Sequence, residues 1–171
     1  MNKVESKRAK LQEAWSEARR LRAAGNIMVA RQVLEKIAAA APREPLVWLE
    51  LGNVHLYSLQ LPMAIADFER YLALAGEGPE VLTLLGRAKY MHGRTGEALA
   101  HFDDVLKRFP VYPAVYYDYS GVRRFDAETG GPLVEKIEAL LANQMTSAHN
   151  RKFLHFAAGK ICQDLERWDM A

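Results

Sequence analysis

The side chains that could carry chemistry are few: His55, His92, His101, His149 and His155, the single cysteine Cys162, and the adjacent Asp103 and Asp104. A metal site on a helix needs two histidines one turn apart on one face, and no His-x3-His occurs. His149 and His155 are six apart and fall on different faces. Cys162 sits on the packing face of a predicted helix, where a thiol acts as a small hydrophobe rather than a nucleophile. Asp103 and Asp104 point to different sides of theirs and read as a solvated face. No Gly-x4-Gly-Lys-Ser/Thr, Gly-x-Gly-x-x-Gly or Gly-x-Ser-x-Gly is present. The chain itself is therefore not expected to be an enzyme, and no catalytic residue, metal or cofactor is assigned.

Two further groups have binding potential. Residues 1–22 hold seven cations (Lys3, Lys7, Arg8, Lys10, Arg19, Arg20, Arg22) against three acids (Glu5, Glu13, Glu17), and read as an exposed first helix frayed at its start. Tyr112, Tyr116, Tyr117, Tyr119 and Phe125 could stack a ligand, but at helical spacing they read first as core. Over all 171 residues the net charge is only +2, so nucleic acid is not an expected partner. The lone cysteine rules out an internal disulfide and fits a reducing compartment, which makes the cytoplasm the expected location. No apolar run approaches the length of a membrane helix, and the start MNKVESKRAKLQEAW carries charges where a signal peptide needs apolar residues.

The elements that position these residues follow from composition and period. Ala, Leu, Glu, Arg and Lys dominate, strand and hairpin signals are missing, and the expected fold is all-α. Gly52 and Gly86, Ala64 and Ala98, and Phe68 and Phe102 are pairs separated by one and the same interval. The same step backwards lands on Ala18, Ala30 and Leu34, so a diverged copy begins near residue 11. Pro42 stands two such intervals before Pro110, and Gly25 two before Gly93. Small residues at two fixed places let two antiparallel helices approach, and Trp48, Phe68, Leu82 and Phe102 fill the space around that contact.

This pattern resembles the tetratricopeptide repeat family, in which Trp-x2-Leu-Gly-x2-Tyr marks a first helix and Ala-x3-Phe a second, closed by Pro. One copy reads Trp48, Leu51, Gly52, His55, Ala64, Phe68 and Tyr71; the next reads Leu82, Leu85, Gly86, Lys89, Ala98, Phe102 and Pro110. The resemblance implies a right-handed superhelix (α-solenoid) of antiparallel helix pairs. Repeats are expected near 11–43, 45–77 and 79–111, after a basic segment 1–10, with a modified repeat near 113–143 and a truncated one at 150–171. In the modified copy the twentieth place is Pro132 instead of Ala, so TGGPLVEKIEALLAN predicts a loop through Gly130 and Gly131 and a helix from Pro132. In the last copy Leu154, Gly159, Cys162, Trp168 and Ala171 hold the register, and its face of Leu154, Ala158, Ile161 and Leu165 is expected to lack a partner helix. That predicts either fast exchange or self-association there, and a chain that is a piece of something longer.

Residues 116–171 also resemble the last repeats of bacterial tetratricopeptide-repeat sulfotransferases, through YYDYSGVRRF, EKIEALLAN and LHFAAGKICQDLERWDMA in that order. In that family the segment leads into a domain that takes sulfate from 3′-phosphoadenosine 5′-phosphosulfate. Its Gly-rich loop has no counterpart in this sequence, so no catalytic or cofactor residue transfers.

The repeat family further implies a groove lined by first helices, which here carries Arg19, Asn53 and Arg87 at ninth places, Arg22, Leu56, Tyr90 and Arg124 at twelfth places and Tyr57 at a thirteenth. Arg19, Asn53 and Arg87 form an expected column of donors for an extended peptide with a carboxylate. The clamp for a chaperone tail requires Lys at fifth places, where Trp15 and Thr83 stand, and that ligand is excluded. The expected function is a scaffolding module that binds a protein, a peptide or its own downstream domain; a stand-alone adaptor is the alternative.

Overall fold

A computed structural model describes residues 3–166. Among them the regular elements are all helices: α1 (Lys3–Ala23), α2 (Ile27–Ala40), α3 (Pro45–Tyr57), α4 (Leu61–Ala75), α5 (Pro79–Met91), α6 (Thr95–Arg108), α7 (Pro113–Val122), α8 (Ala127–Ala142) and α9 (Ala148–Asp164). Two compact units divide between Glu77 and Gly78, with α1–α4 in the first and α5–α9 in the second. Trp168 and Ala171, expected in the last repeat, lie outside the described residues.

Proline sets the helix starts. Pro45, Pro62, Pro79 and Pro113 each stand in a first turn, where the missing N–H is no loss. The turns between paired helices need a left-handed residue: Gly25 (φ 77°) and Gly93 (φ 85°) supply it at no steric cost, and Leu59 (φ 57°) adopts it between them in sequence. Proline carbonyls also anchor aromatic side chains. Trp48 Nε1–H donates to the Pro42 carbonyl at 3.0 Å, and the Tyr116 hydroxyl donates to the Pro110 carbonyl at 2.7 Å.

In the first unit α1 pairs with α2 and α3 with α4, and α2 packs on α3. Ala18, Leu34, Ile37, Ala38, Val47, Leu51 and Val54 form the core, with Trp15 and Trp48 against it. A Cβ on Gly52 would lie 2.5 Å from the fully buried Phe68 ring, and one on Gly86 in the second unit would lie 2.6 Å from the Phe102 ring. The expected small residues and rings thus meet within α3–α4 and α5–α6.

α1 runs through residue 11 from Lys3. Two expectations are corrected. The loop at Gly130–Gly131 is helical. Asp126 caps α8 by accepting the Thr129 N–H at 2.9 Å, and Thr129 Oγ1 returns the bond, so the helix starts at Ala127 with Pro132 inside it. Gly130 sits at a tight contact rather than a turn, since a Cβ there would meet Ile161 at 3.0 Å and Leu165 at 3.2 Å. Finally, the α9 face expected to be bare is covered in part within the chain: Leu154 and Ile161 are fully buried, and Ala158 and Leu165 are half-buried. The main partner of α7 is α9, and α8 packs on α9 as well. The physical reason lies in the ends of α8. Phe125 is buried at its entry, its N–H donating to Asp164, and Arg151 on α9 donates to the carbonyls of Leu141, Asn143 and Thr146 at its exit.

Candidate peptide-binding groove

In the second unit α5, α7 and α9 enclose a cleft of about 370 Å³ lined by Arg87, Tyr90, Met91, Phe102, Tyr117, Asp118, Gly121, Val122 and Phe156. Its floor is an ion pair. Arg87 Nε and Nη2 donate to the two carboxylate oxygens of Asp118, each at 2.8 Å, in a fork-to-fork arrangement. Burial pushes the Asp118 carboxyl above its ordinary value, and the hydrogen bonds and charge of Arg87 oppose that rise. Gly121 follows Arg87 by one repeat length, so the equivalent place on α7 has no side chain and the cleft stays open. The walls are apolar and partly exposed: Tyr90 at 40%, Met91 at 43% and Phe156 at 55%. The Tyr117 ring packs between Phe153 (5.6 Å) and Phe156 (4.7 Å), which fixes the α9 wall.

The first unit has a different cleft, of about 590 Å³, lined by Gln12, Trp15, Ser16, Arg19, Glu44, Leu46 and Glu50. Arg19 is exposed there, and Arg22 beside it is tied to Glu50. Asn53 is half-buried.

The expected groove residues therefore separate. Arg19 lines the first cleft, and Arg87 and Tyr90 line the second. Arg87 is not the free donor that the column required, because its guanidinium is committed to Asp118. Leu56 is buried and contributes core rather than surface. Tyr57 ends α3 and is 77% exposed. Arg124 is off the helix altogether: α7 stops at Val122, and Arg124 is exposed in the connection to α8. Its neighbour Arg123 does the local work, with its guanidinium over the rings of Tyr119 and Phe125 and Nη1 donating to the Tyr119 hydroxyl at 3.1 Å. Sequence reasoning missed Asp118, Phe156 and Gly121. Asp118 had a signal, since its carboxylate follows Arg87 at one helix turn short of the repeat length.

One acid–base pair lies elsewhere. His55 Nδ1 and Asp67 Oδ2 are 2.6 Å apart, a buried hydrogen bond. Burial raises the Asp67 carboxyl above its ordinary value, against the hydrogen bond and charge of His55. The other ring nitrogen, Nε2, is buried without a hydrogen-bond partner. No substrate atom can reach it, so the pair is a core element that replaces the family's tyrosine. One repeat later Lys89 holds that place, 2.9 Å from Glu97.

Antiparallel helix pairs repeating at a fixed interval, two of them closed by a glycine against a phenylalanine ring, define a helical repeat protein. The family model described as tetratricopeptide repeat matches residues 16–79 and 49–113, more than half the chain, and the protein belongs to that family. No curated protein matches the sequence. Among solved structures, the chain is similar to MamA (TM-score 0.65, 16% identity, covering 94% of this chain and 88% of that one). It is also similar to a Podosopora anserina putative kinesin light chain with nearly identical TPR-like repeats (TM-score 0.67, 16% identity, 94% and 88%). A third is YrrB, described as a TPR protein with an unusual peptide-binding site (TM-score 0.59, 14% identity, 90% and 76%). At these identities the likeness is one of fold.

Proposed function

We propose that this chain is a non-catalytic interaction module that grips an extended peptide by an apolar or aromatic side chain in the α5–α7–α9 cleft. The observation that carries the reading is the pairing of exposed apolar walls, Tyr90, Met91 and Phe156, with a floor whose charges cancel. A neutralised floor offers little to a carboxylate, whereas apolar walls reward burial of a hydrophobic anchor. The peptide-binding description of YrrB supports the same class of ligand. Selection of a random peptide library against the full chain tests it. Selected peptides are expected to share one large apolar residue, and Phe156→Ser to weaken them at least about tenfold, roughly 1.4 kcal/mol. Peptides that share only acidic residues and bind Phe156→Ser unchanged would overturn the reading.

A finer reading makes the module the N-terminal region of a bacterial, cytoplasmic sulfotransferase, with the cleft occupied by its own catalytic domain. The motif order over residues 116–171 supports it. The stand-alone adaptor is equally consistent, and a reading frame that continues past Ala171 into a Gly-rich phosphosulfate loop, or into none, decides between them.

A further inference from the structure

The turn edge of the first unit carries two uncharged stretches one repeat apart, residues 23–30 (AAGNIMVA) and 57–64 (YSLQLPMA), in a chain that is 26% charged. From them Met28 (54%), Val29 (48%), Tyr57 (77%), Leu59 (67%) and Met63 (48%) stand exposed. Arg31 Nη1 donates to Gln60 Oε1 at 3.2 Å, which ties the start of α2 to the α3–α4 turn and brings both stretches to one edge. The corresponding stretch of the second unit, 91–98 (MHGRTGEA), is charged and has Gly93 at the turn. Leu59 occupies the left-handed conformation that Gly25 and Gly93 adopt freely. A β-carbon and an exposed isobutyl group are thus held where glycine would be less strained, and observed strain of this kind points to function.

We infer that this edge is a homodimer interface, in which the apolar edge of one copy meets the same edge of a second across a twofold axis. A twofold contact sets each residue near its own counterpart, so it suits a surface without charge, where no like pair is created. Five large side chains at these exposures offer several hundred Å² per copy, against the roughly 800 Å² per partner of a standard interface, which suits a reversible dimer. Anionic lipid is the less fitting occupant, because the neighbouring cations Arg20, Arg22 and Arg31 are engaged with Glu17, Glu50 and Gln60. The residues of this surface belong to the first unit, and those that line the peptide cleft belong to the second.

Sedimentation velocity on the full chain, from low micromolar to submillimolar concentration and at low and high salt, tests the inference. A concentration-dependent dimer insensitive to salt is expected. Leu59→Gly is expected to weaken it at least about tenfold while raising the unfolding midpoint, a combination that a purely structural leucine would not give. Tyr57→Ser, with no backbone effect, is expected to weaken it too. A monomer at every concentration overturns the inference, as does a dimer that dissociates in salt or is indifferent to both substitutions. Leu59-dependent binding to phosphatidylcholine–phosphatidylserine vesicles by a chain that stays monomeric would overturn it in favour of lipid.

Discussion

The helix pairs α3–α4 and α5–α6 and the group α7–α9 solve the same packing problem in different ways. In each regular pair a glycine on the first helix receives a phenylalanine from the second, Gly52 with Phe68 and Gly86 with Phe102. In α7 the glycine's place is taken by Ser120, buried and donating to the Tyr117 carbonyl at 2.9 Å. The place of the phenylalanine, one repeat after Phe102, falls on Lys136, which is exposed on α8. With no ring to deliver, α8 does not become the main partner of α7; α9 does, with Phe153 and Phe156 against Tyr117. A repeat whose contact residues are lost need not unravel if a later helix can occupy the vacated face.

The largest test of this contrast is truncation at the two kinds of contact. Phe102→Ala is expected to cost about 3–5 kcal/mol and Ile161→Ala about 2–5 kcal/mol, measured by denaturant unfolding. If Ile161→Ala falls within about 0.5 kcal/mol of the parent, α9 is not part of the fold and the comparison fails. Hydrogen exchange offers the same check, since amides of α9 are expected to be protected as strongly as those of α5 and α6.

Next comes the ion pair beneath the cleft. Arg87→Ala strands the buried Asp118 carboxylate and is expected to destabilise by about 2 kcal/mol, less than for a fully buried pair because a third of the Arg87 side chain is exposed. Arg94→Ala, on an exposed pair with Glu97 at 4.0 Å, is expected to change stability by less than about 0.5 kcal/mol. Equal small effects would mean that the Arg87–Asp118 pair adds no more to stability than a surface pair.

A smaller effect distinguishes the turns. Gly93→Ala places a β-carbon in the left-handed region and is expected to cost about 1–2 kcal/mol, opposite in sign to Leu59→Gly. A neutral Gly93→Ala would mean that the turn relaxes and that Leu59 bears no strain.

The smallest concerns pH. The folded value of Asp67 is raised, so the stability its protonated form contributes is complete below the ordinary value of 3.8 and is lost as pH rises through the folded value. Asp67→Asn removes that dependence while keeping an acceptor for His55. Stability of the parent minus that of the variant is therefore expected to fall as pH rises from about 4 to about 7. A difference that grows over that range would mean that the His55 interaction outweighs burial.

The all-helical class, the repeat length and the helix pairs up to Pro110 are legible in the residues alone. Those features depend on local preferences and on residues repeated at a fixed interval: proline in first turns, glycine at left-handed turns, and a small residue matched to a ring. The same register put Arg19, Arg87 and Tyr90 on surfaces that line clefts. Packing of the helices was needed to bind Arg87 to Asp118, to make Leu56 core and to leave Arg124 off its helix, because periodicity counts positions along a helix and carries no account of what a neighbouring helix brings opposite them. The Gly130–Gly131–Pro132 run was misread for a related reason. Glycine and proline are breakers when judged alone, but a capping box at Asp126 starts the helix before them, and side chains of α9 pack tightly against Gly130. Which helix covers α7 is settled by competition between α8 and α9 for one apolar face, and the outcome depends on contacts between residues distant in sequence, such as Phe125 N–H with Asp164.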